Sequence, residues 1–142
     1  MNKLSQWNQK VDALTERMKN CPAGEFPVKH RFTPGLYIRE IFMPKGSLIV
    51  SKIHKTEHPF VVSQGSARVI SDDSGHIETV SAPHCGITKP GTRRVLFIVE
   101  DCVWTTFHPT AETDLSKIEQ DIIEPHDLTP ITEVDRARLE GV

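Results

Sequence analysis

Cysteine is scarce in this chain and no two cysteines form a CxxC pair. Cys21, Cys85 and Cys102 are odd in number, which argues against a disulfide framework and fits the reduced thiols of a cytosolic protein. An excess of one charge is also missing. Seventeen Lys and Arg against nineteen Asp and Glu give a formal net charge of -2. Such a balance supplies no general attraction for nucleic acid or anionic lipid. No apolar run approaches the roughly 18 residues of a membrane span. Beside Lys3 and Lys10, polar residues fill the place where a signal peptide needs an apolar stretch. Nor is there a Gly-x-Ser-x-Gly elbow for a nucleophilic serine or a Gly-x-x-x-x-Gly-Lys phosphate loop. The expectation from these absences is a soluble cytoplasmic protein with neither a membrane nor a nucleic acid as partner.

What is present is 142 residues, a length that suits one domain with a sizeable core. Ten prolines exceed the usual ~5% and argue against an all-helical chain, because proline breaks helix interiors. Residues 1–20 read as a helix, since Leu4, Trp7, Val11, Leu14 and Met18 recur at spacings of three and four. This stripe is expected to dock on the protein's own β-structure, with a subunit contact as the alternative. Residues 1–27 then form a helix and linker, residues 28–109 a β-barrel and residues 110–142 a helical extension.

Within the β zone, apolar or alternating runs cover Leu36 to Phe42, Leu48 to Ile53, Phe60 to Ser63, Ala67 to Ser71, Ile77 to Val80, Val95 to Val99 and Val103 to Phe107. Turn signals separate them, among them Gln64-Gly65, Glu100-Asp101 and the hairpin tip Asp72-Asp73-Ser74-Gly75. Short strands at spacings near 8–12 residues predict a sandwich or barrel. Leu115, Ile118 and Ile122 predict a C-terminal helix opened by a Ser116–Glu119 capping box, with a second short helix from Glu133 to Leu139.

Seven histidines are the other notable presence. His54 and His58 stand four apart, beside Pro59 and β-branched residues that disfavour a helix. On a straight strand they would lie about 13 Å apart. They share a pocket only if Lys55-Thr56-Glu57 bends the chain; otherwise they are two solvated histidines at strand ends. His108 lies on the same strand face as Trp104 and Thr106 and can join them inside a barrel. His30, His76 and His126 read as solvated.

The stretch from Gly46 to Gly65 resembles the first motif of the cupin superfamily. After Gly46 come five residues, then Lys52-Ile53-His54, three residues, His58, and six residues to Gly65. His54 stands at the family's second His, His58 at its Glu and Lys52 at its first His. The second motif, Pro-x-Gly-x-x-His, is matched by Pro90-Gly91-Thr92-Arg93-Arg94 with the proline displaced by one and Arg94 at the metal-binding His. The segments Gly86 to Arg94 and Trp104 to Pro109 also resemble small cupin-like proteins of phage and prophage genomes.

The resemblance covers residues 35–108. It implies an all-β, cupin-like double-stranded β-helix, a jelly-roll barrel with flanking helices, and a homodimer, as such barrels commonly pair. It implies a small-molecule site inside the barrel, with a divalent metal (zinc, iron or manganese) on His54, His58 and His108. His84 and Cys85 are substitute ligands. Lys52, Thr56 and Arg94 are the candidate ligand-binding residues. If Lys52 and Arg94 point inward, two cations facing two imidazoles suit a phosphate, carboxylate or sugar acid. The alternative is a non-catalytic interaction or assembly module with a degenerate site.

Overall fold

The computed structural model describes residues 3–21 and 26–123. The expected helix from Glu133 to Leu139 and His126 lie outside the described residues. Helix α1 (Lys3–Met18) is followed by strands β1 (Val28–Thr33), β2 (Leu36–Met43), β3 (Leu48–Val50), β4 (His58–Ile70), β5 (Glu78–Ser81), β6 (His84–Thr88) and β7 (Val95–Pro109), then helix α2 (Leu115–Ile122). Neither helix is long and apolar enough to cross a membrane.

All strand pairs are antiparallel, and β4 and β7 form the spine. The final part of β7 pairs with β2 and its first part with β3. Likewise the first part of β4 pairs with β6 and its final part with β5. Two half-sheets therefore share two long strands, which is how a jelly roll closes around one core. That core is Ile41, Met43, Ile49, Phe60, Val62, Ala67, Val69, Val80, Leu96, Ile98, Cys102 and Trp104. Alternation along β2, β4 and β7 sends these residues to one side of the sheet.

The expected turns at Gln64-Gly65 and Glu100-Asp101 are not turns, because each lies inside a long strand. They are the two sides of one irregularity. Gln64 opposes Val103 and Ser66 opposes Glu100, with the register shifting between them. A bulge of this kind bends and twists the strand without ending it. Gly65, at φ 80°, allows the close approach: a Cβ there would stand 2.0 Å from the Asp101 carbonyl oxygen. Turn residues were present for a sound local reason, but long-range pairing kept the chain extended.

Strands β1 and β6 were not among the expected runs. Both are edge strands, and Gly86 and exposed polar residues mask their alternation. The Asp72-Asp73-Ser74-Gly75 segment does join an antiparallel pair, β4 and β5. Helix α2 is capped by Asp114, whose carboxylate accepts from the Ser116 N–H at 2.9 Å, in place of the expected Ser116–Glu119 box.

Helix α1 lies on the barrel. Trp7, Val11 and Met18 pack with Val50 and Val95. Each such large side chain removed from water contributes about 1.5–3 kcal/mol. Trp7 Nε1 donates to the Arg93 carbonyl at 2.8 Å, and Arg93 pairs with Asp12 at 2.8 Å.

The bulge yields a prediction for Gly65→Ala. Positive φ and a backbone collision together should cost at least about 2 kcal/mol, read as a lower urea midpoint. Gly75→Ala, also at positive φ but with nothing within 4 Å of the added carbon, should cost only about 1 kcal/mol. Equal losses for the two variants would remove the bulge from this account.

Candidate ligand and metal site at the capped end of the barrel

Register places the site residues in rows across the strands. Tyr37 on β2 opposes His108 on β7, and His58 on β4 opposes Thr88 on β6. In the next row Arg39, Thr106, Phe60 and Gly86 follow one another across β2, β7, β4 and β6. Gly86 makes room for Phe60, since a Cβ there would lie 2.7 Å from the ring. His54 comes from the segment between β3 and β4. A bend at Lys55 and Thr56 turns the chain between His54 and His58.

The three imidazoles meet. Ring centroids lie 4.6 Å apart for His54 and His58, 4.3 Å for His58 and His108 and 6.3 Å for His54 and His108. All three residues are buried, with 3% exposure or less. One nitrogen on each ring has no hydrogen-bond partner: His54 Nδ1, His58 Nε2 and His108 Nδ1. The other nitrogen of His58, Nδ1, lies 3.0 Å from the Thr56 carbonyl oxygen. A carbonyl only accepts, so Nδ1 carries the proton and the neutral ring's lone pair is on Nε2. His108 Nε2 contacts Thr106 Oγ1 at 2.9 Å.

Electrostatics keep these rings neutral. Burial, then the neighbouring His58 and His108, then Arg94 and Arg39, lower the His54 pKa to about 3. Burial, followed by His58 and Arg39, lowers that of His108 to about 3. Burial also lowers His58, with Arg94 adding to it and the Thr56 hydrogen bond opposing it.

His54, Thr106 and His108 form the inner wall of a cavity of about 230 Å³. Helix α2 supplies the opposite wall through Leu115, Ile118, Glu119 and Ile122. The helix is fastened at several points. Lys52 Nζ meets Glu119 Oε1 at 2.5 Å, and the Lys55 N–H donates to the Ile122 carbonyl at 2.8 Å. His54 and Ile123 form an antiparallel bridge.

Lys52 thus lines the cavity, as expected of a pocket residue, and pairs there with Glu119. Arg94 is buried beside Phe60, with NH1 donating to Thr88 Oγ1 at 2.9 Å and its centre 5.1 Å from the Phe60 ring centroid. It lies near His54 and His58 but does not line the cavity. Thr56 serves His58 through its carbonyl. Cys85 is exposed on β6, and His84 stands over Phe60 at 5.7 Å, so neither joins the imidazoles. His30, expected to be solvated, is exposed on β1, yet its Nδ1 meets the Tyr37 hydroxyl at 2.6 Å and it lines the cavity. Its alternation with Val28 and Phe32 was the missed signal. Arg39 was also missed, although it shares the strand parity of Tyr37, Ile41 and Met43. A charged residue in that apolar row marks an interior polar site.

The cupin fold implies a metal, and the donor chemistry here fits one. Neutral imidazole is a ligand for zinc, iron and manganese, and each ring has a buried nitrogen lacking a partner. Among the described residues, no group of three or more His, Cys, Asp or Glu stands in an arrangement that holds a metal ion.

No protein-family model matches the sequence, and no curated protein is similar to it. Solved structures are similar in fold. Ectoine synthase from P. lautus has a TM-score of 0.56 and 10% identity, over 77% of this chain and 80% of that one. The EutQ protein of Clostridium difficile has a TM-score of 0.50 and 15% identity, over 62% of this chain and 70% of that one. A cupin-2 domain containing protein from Shewanella frigidimarina has a TM-score of 0.49 and 12% identity, over 72% of this chain and 98% of that one. The first two likenesses show the fold, the cupin jelly roll, and at such identities nothing about activity.

The neutral histidines predict a pH dependence in chelator-treated protein. As pH falls below 6.5 the unfolded chain takes up protons that folded His54 and His108 refuse until about pH 3. Stability should be level above pH 6.5 and fall by roughly 1.4 kcal/mol per pH unit for each histidine below it. Urea midpoints compared at about pH 7.5 and pH 5 check this. Identical midpoints would mean that the rings titrate normally.

Proposed function

We propose that this protein binds a small molecule in the cavity and holds a divalent metal (zinc, iron or manganese) with His54, His58 and His108. One observation carries the reading: three neutral imidazoles, each with an unpartnered buried nitrogen, stand together, and two of them, His54 and His108, line a cavity. An unsatisfied buried polar atom costs roughly 1–3 kcal/mol, so three at one place call for a common partner.

Each neighbour has a part in this reading. The Thr56 carbonyl orients the His58 ring and directs its lone pair away from the bend, as outer partners of metal-binding histidines do. Arg94, fixed by Thr88 and by a backbone hydrogen bond to Ser51 Oγ at 2.7 Å, helps to keep His54 and His58 deprotonated and ready to bind. Helix α2 limits access of water. A metal, when bound, supplies Lewis acidity toward an oxygen of the ligand.

Lys52 and Arg94, at two of the family's four ligand positions, favour a second reading: an assembly module with a decayed site, including a phage-related one. Against it, the helical stripe that assembly would use is buried on the chain's own barrel. A homodimer in the cytoplasm completes the first reading. The exposed cross-strand neighbours Leu48 and Phe97 and the free cysteines support it.

Metal analysis of protein purified without a His-tag tests the proposal. Near-stoichiometric zinc, iron or manganese is expected, and a drop to background in the His54→Ala/His58→Ala double variant. The exposed His76→Ala variant should keep its metal. Wild-type protein that stays metal-free after incubation with each of the three ions, or a double variant with unchanged content, would sink the metal assignment.

A further inference from the structure

Arg94 departs from the rule that buried charges are paired. It is 9% exposed, and no carboxylate among the described residues forms an ion pair with it. Glu78 on β5 is the opposite charge whose field reaches it. The neighbouring Arg93 differs, since its guanidinium donates to Asp12 and to the Asn8 carbonyl of α1. Arg94 is nevertheless held firmly. Its N–H donates to Ser51 Oγ at 2.7 Å, and its carbonyl accepts from the Ser51 N–H at 2.8 Å. Nη1 donates to the buried Thr88 Oγ1, and the Phe60 ring lies 5.1 Å from the centre of the guanidinium. Nε and Nη2 donate to no described residue, and they are not sealed away as Arg93 Nε is. One edge of the guanidinium, with two parallel N–H donors, is therefore open.

From this open edge we infer that Arg94 anchors a site for a small carboxylate, beside His54 and His58 and apart from the cavity under α2. The inference goes beyond the metal reading and does not depend on it. The Nε–Nη2 edge matches the two oxygens of a carboxylate, which the planar fork holds through two bonds at once. Thr88 Oγ1, the acceptor for Nη1, keeps its own proton and can donate it to the same anion. The place of the site follows from register, with Thr88 opposite His58 and Gly86 opposite Phe60 across the β4–β6 pair. Burial strengthens a charge-assisted bond relative to one in water. A guanidinium fixed beforehand by Ser51, Thr88 and Phe60 also loses little freedom on binding. Phosphate suits the place less well, because it brings a further oxygen and a second negative charge. Phe60 has no donor for the first, and the field of Glu78 opposes the second.

Proton magnetic resonance on the chelator-treated full chain tests the inference, with formate as the probe and formamide as its uncharged counterpart. The formyl proton line of formate should broaden saturably on adding protein, and acetate should reverse the broadening by competition. Formamide should bind at least about tenfold more weakly than formate. Arg94→Gln should weaken formate by at least about tenfold, and Arg94→Lys should restore part of the loss. Glu78→Gln, a change at an exposed position, should tighten formate because a repelling charge is gone. A purely structural role for Arg94 would not produce that gain. If Arg94→Gln does not fold, Glu78→Gln decides alone: tighter binding supports the site, and unchanged or weaker binding overturns it. No saturable broadening with wild-type protein, equal binding of formamide, or full affinity in folded Arg94→Gln would also overturn it. Phosphate displacing formate at lower concentration than acetate would overturn the carboxylate class. Metal is absent throughout, so failure here leaves the metal reading standing, and success does not depend on it.

Discussion

Three imidazoles buried together, held neutral by burial and by nearby cations, are the constraint that shapes this end of the molecule. A charged histidine in such a place would face desolvation, its ring neighbours and Arg94 together, and the pKa of His54 falls to about 3 accordingly. Other features of the region serve this arrangement. The Thr56 carbonyl fixes one tautomer, Thr106 holds His108, and α2 covers the cavity beside them. Neutral rings with lone pairs to offer are costly for a fold to keep and useful to a ligand or metal. Keeping such rings neutral and buried costs stability at low pH, and perturbed groups of this kind cluster at functional sites.

The cluster depends in turn on the two long strands. His58 begins β4 and His108 lies near the end of β7, and the extensive pairing of these strands brings the two rings within 4.3 Å. The bulge at Gly65 lets both strands pass from one half-sheet to the other without breaking. A single glycine therefore influences the closure of the barrel far from the imidazoles. Phe60 and Trp104, stacked at 4.6 Å, fill the layer beneath the site and separate it from the aliphatic core.

Legibility from sequence followed the range of the interactions involved. The helical stripe of α1 and the spacing from Gly46 to Gly65 are local patterns, and they pointed to a docked helix and a jelly roll. The extended runs of β2 were also local and readable. The spans of β4 and β7 were not, because Gly65 and Asp101 are turn residues unless a partner strand holds them straight. Arg39 shows a different difficulty. Its strand was evident, but whether its parity faced a cavity or solvent depended on which strands lay beside β2. The role of α2 was hidden for the same reason: an amphipathic helix shows its apolar face, but not that a cavity separates part of that face from the barrel. Lys52 read as a pocket cation from its family position, and it lines the cavity, but its pairing there with Glu119, 67 positions away, could not be read from the sequence.

The central claim is that His54, His58 and His108 act as one set of ligands. X-ray absorption on protein reconstituted with zinc addresses it most directly, because the scattering shell reports both the type and number of donors. The account predicts about three imidazole nitrogens at ~2.0–2.1 Å, with the outer-ring scattering typical of histidine. A shell of oxygen atoms alone, or one with a single imidazole, would contradict it.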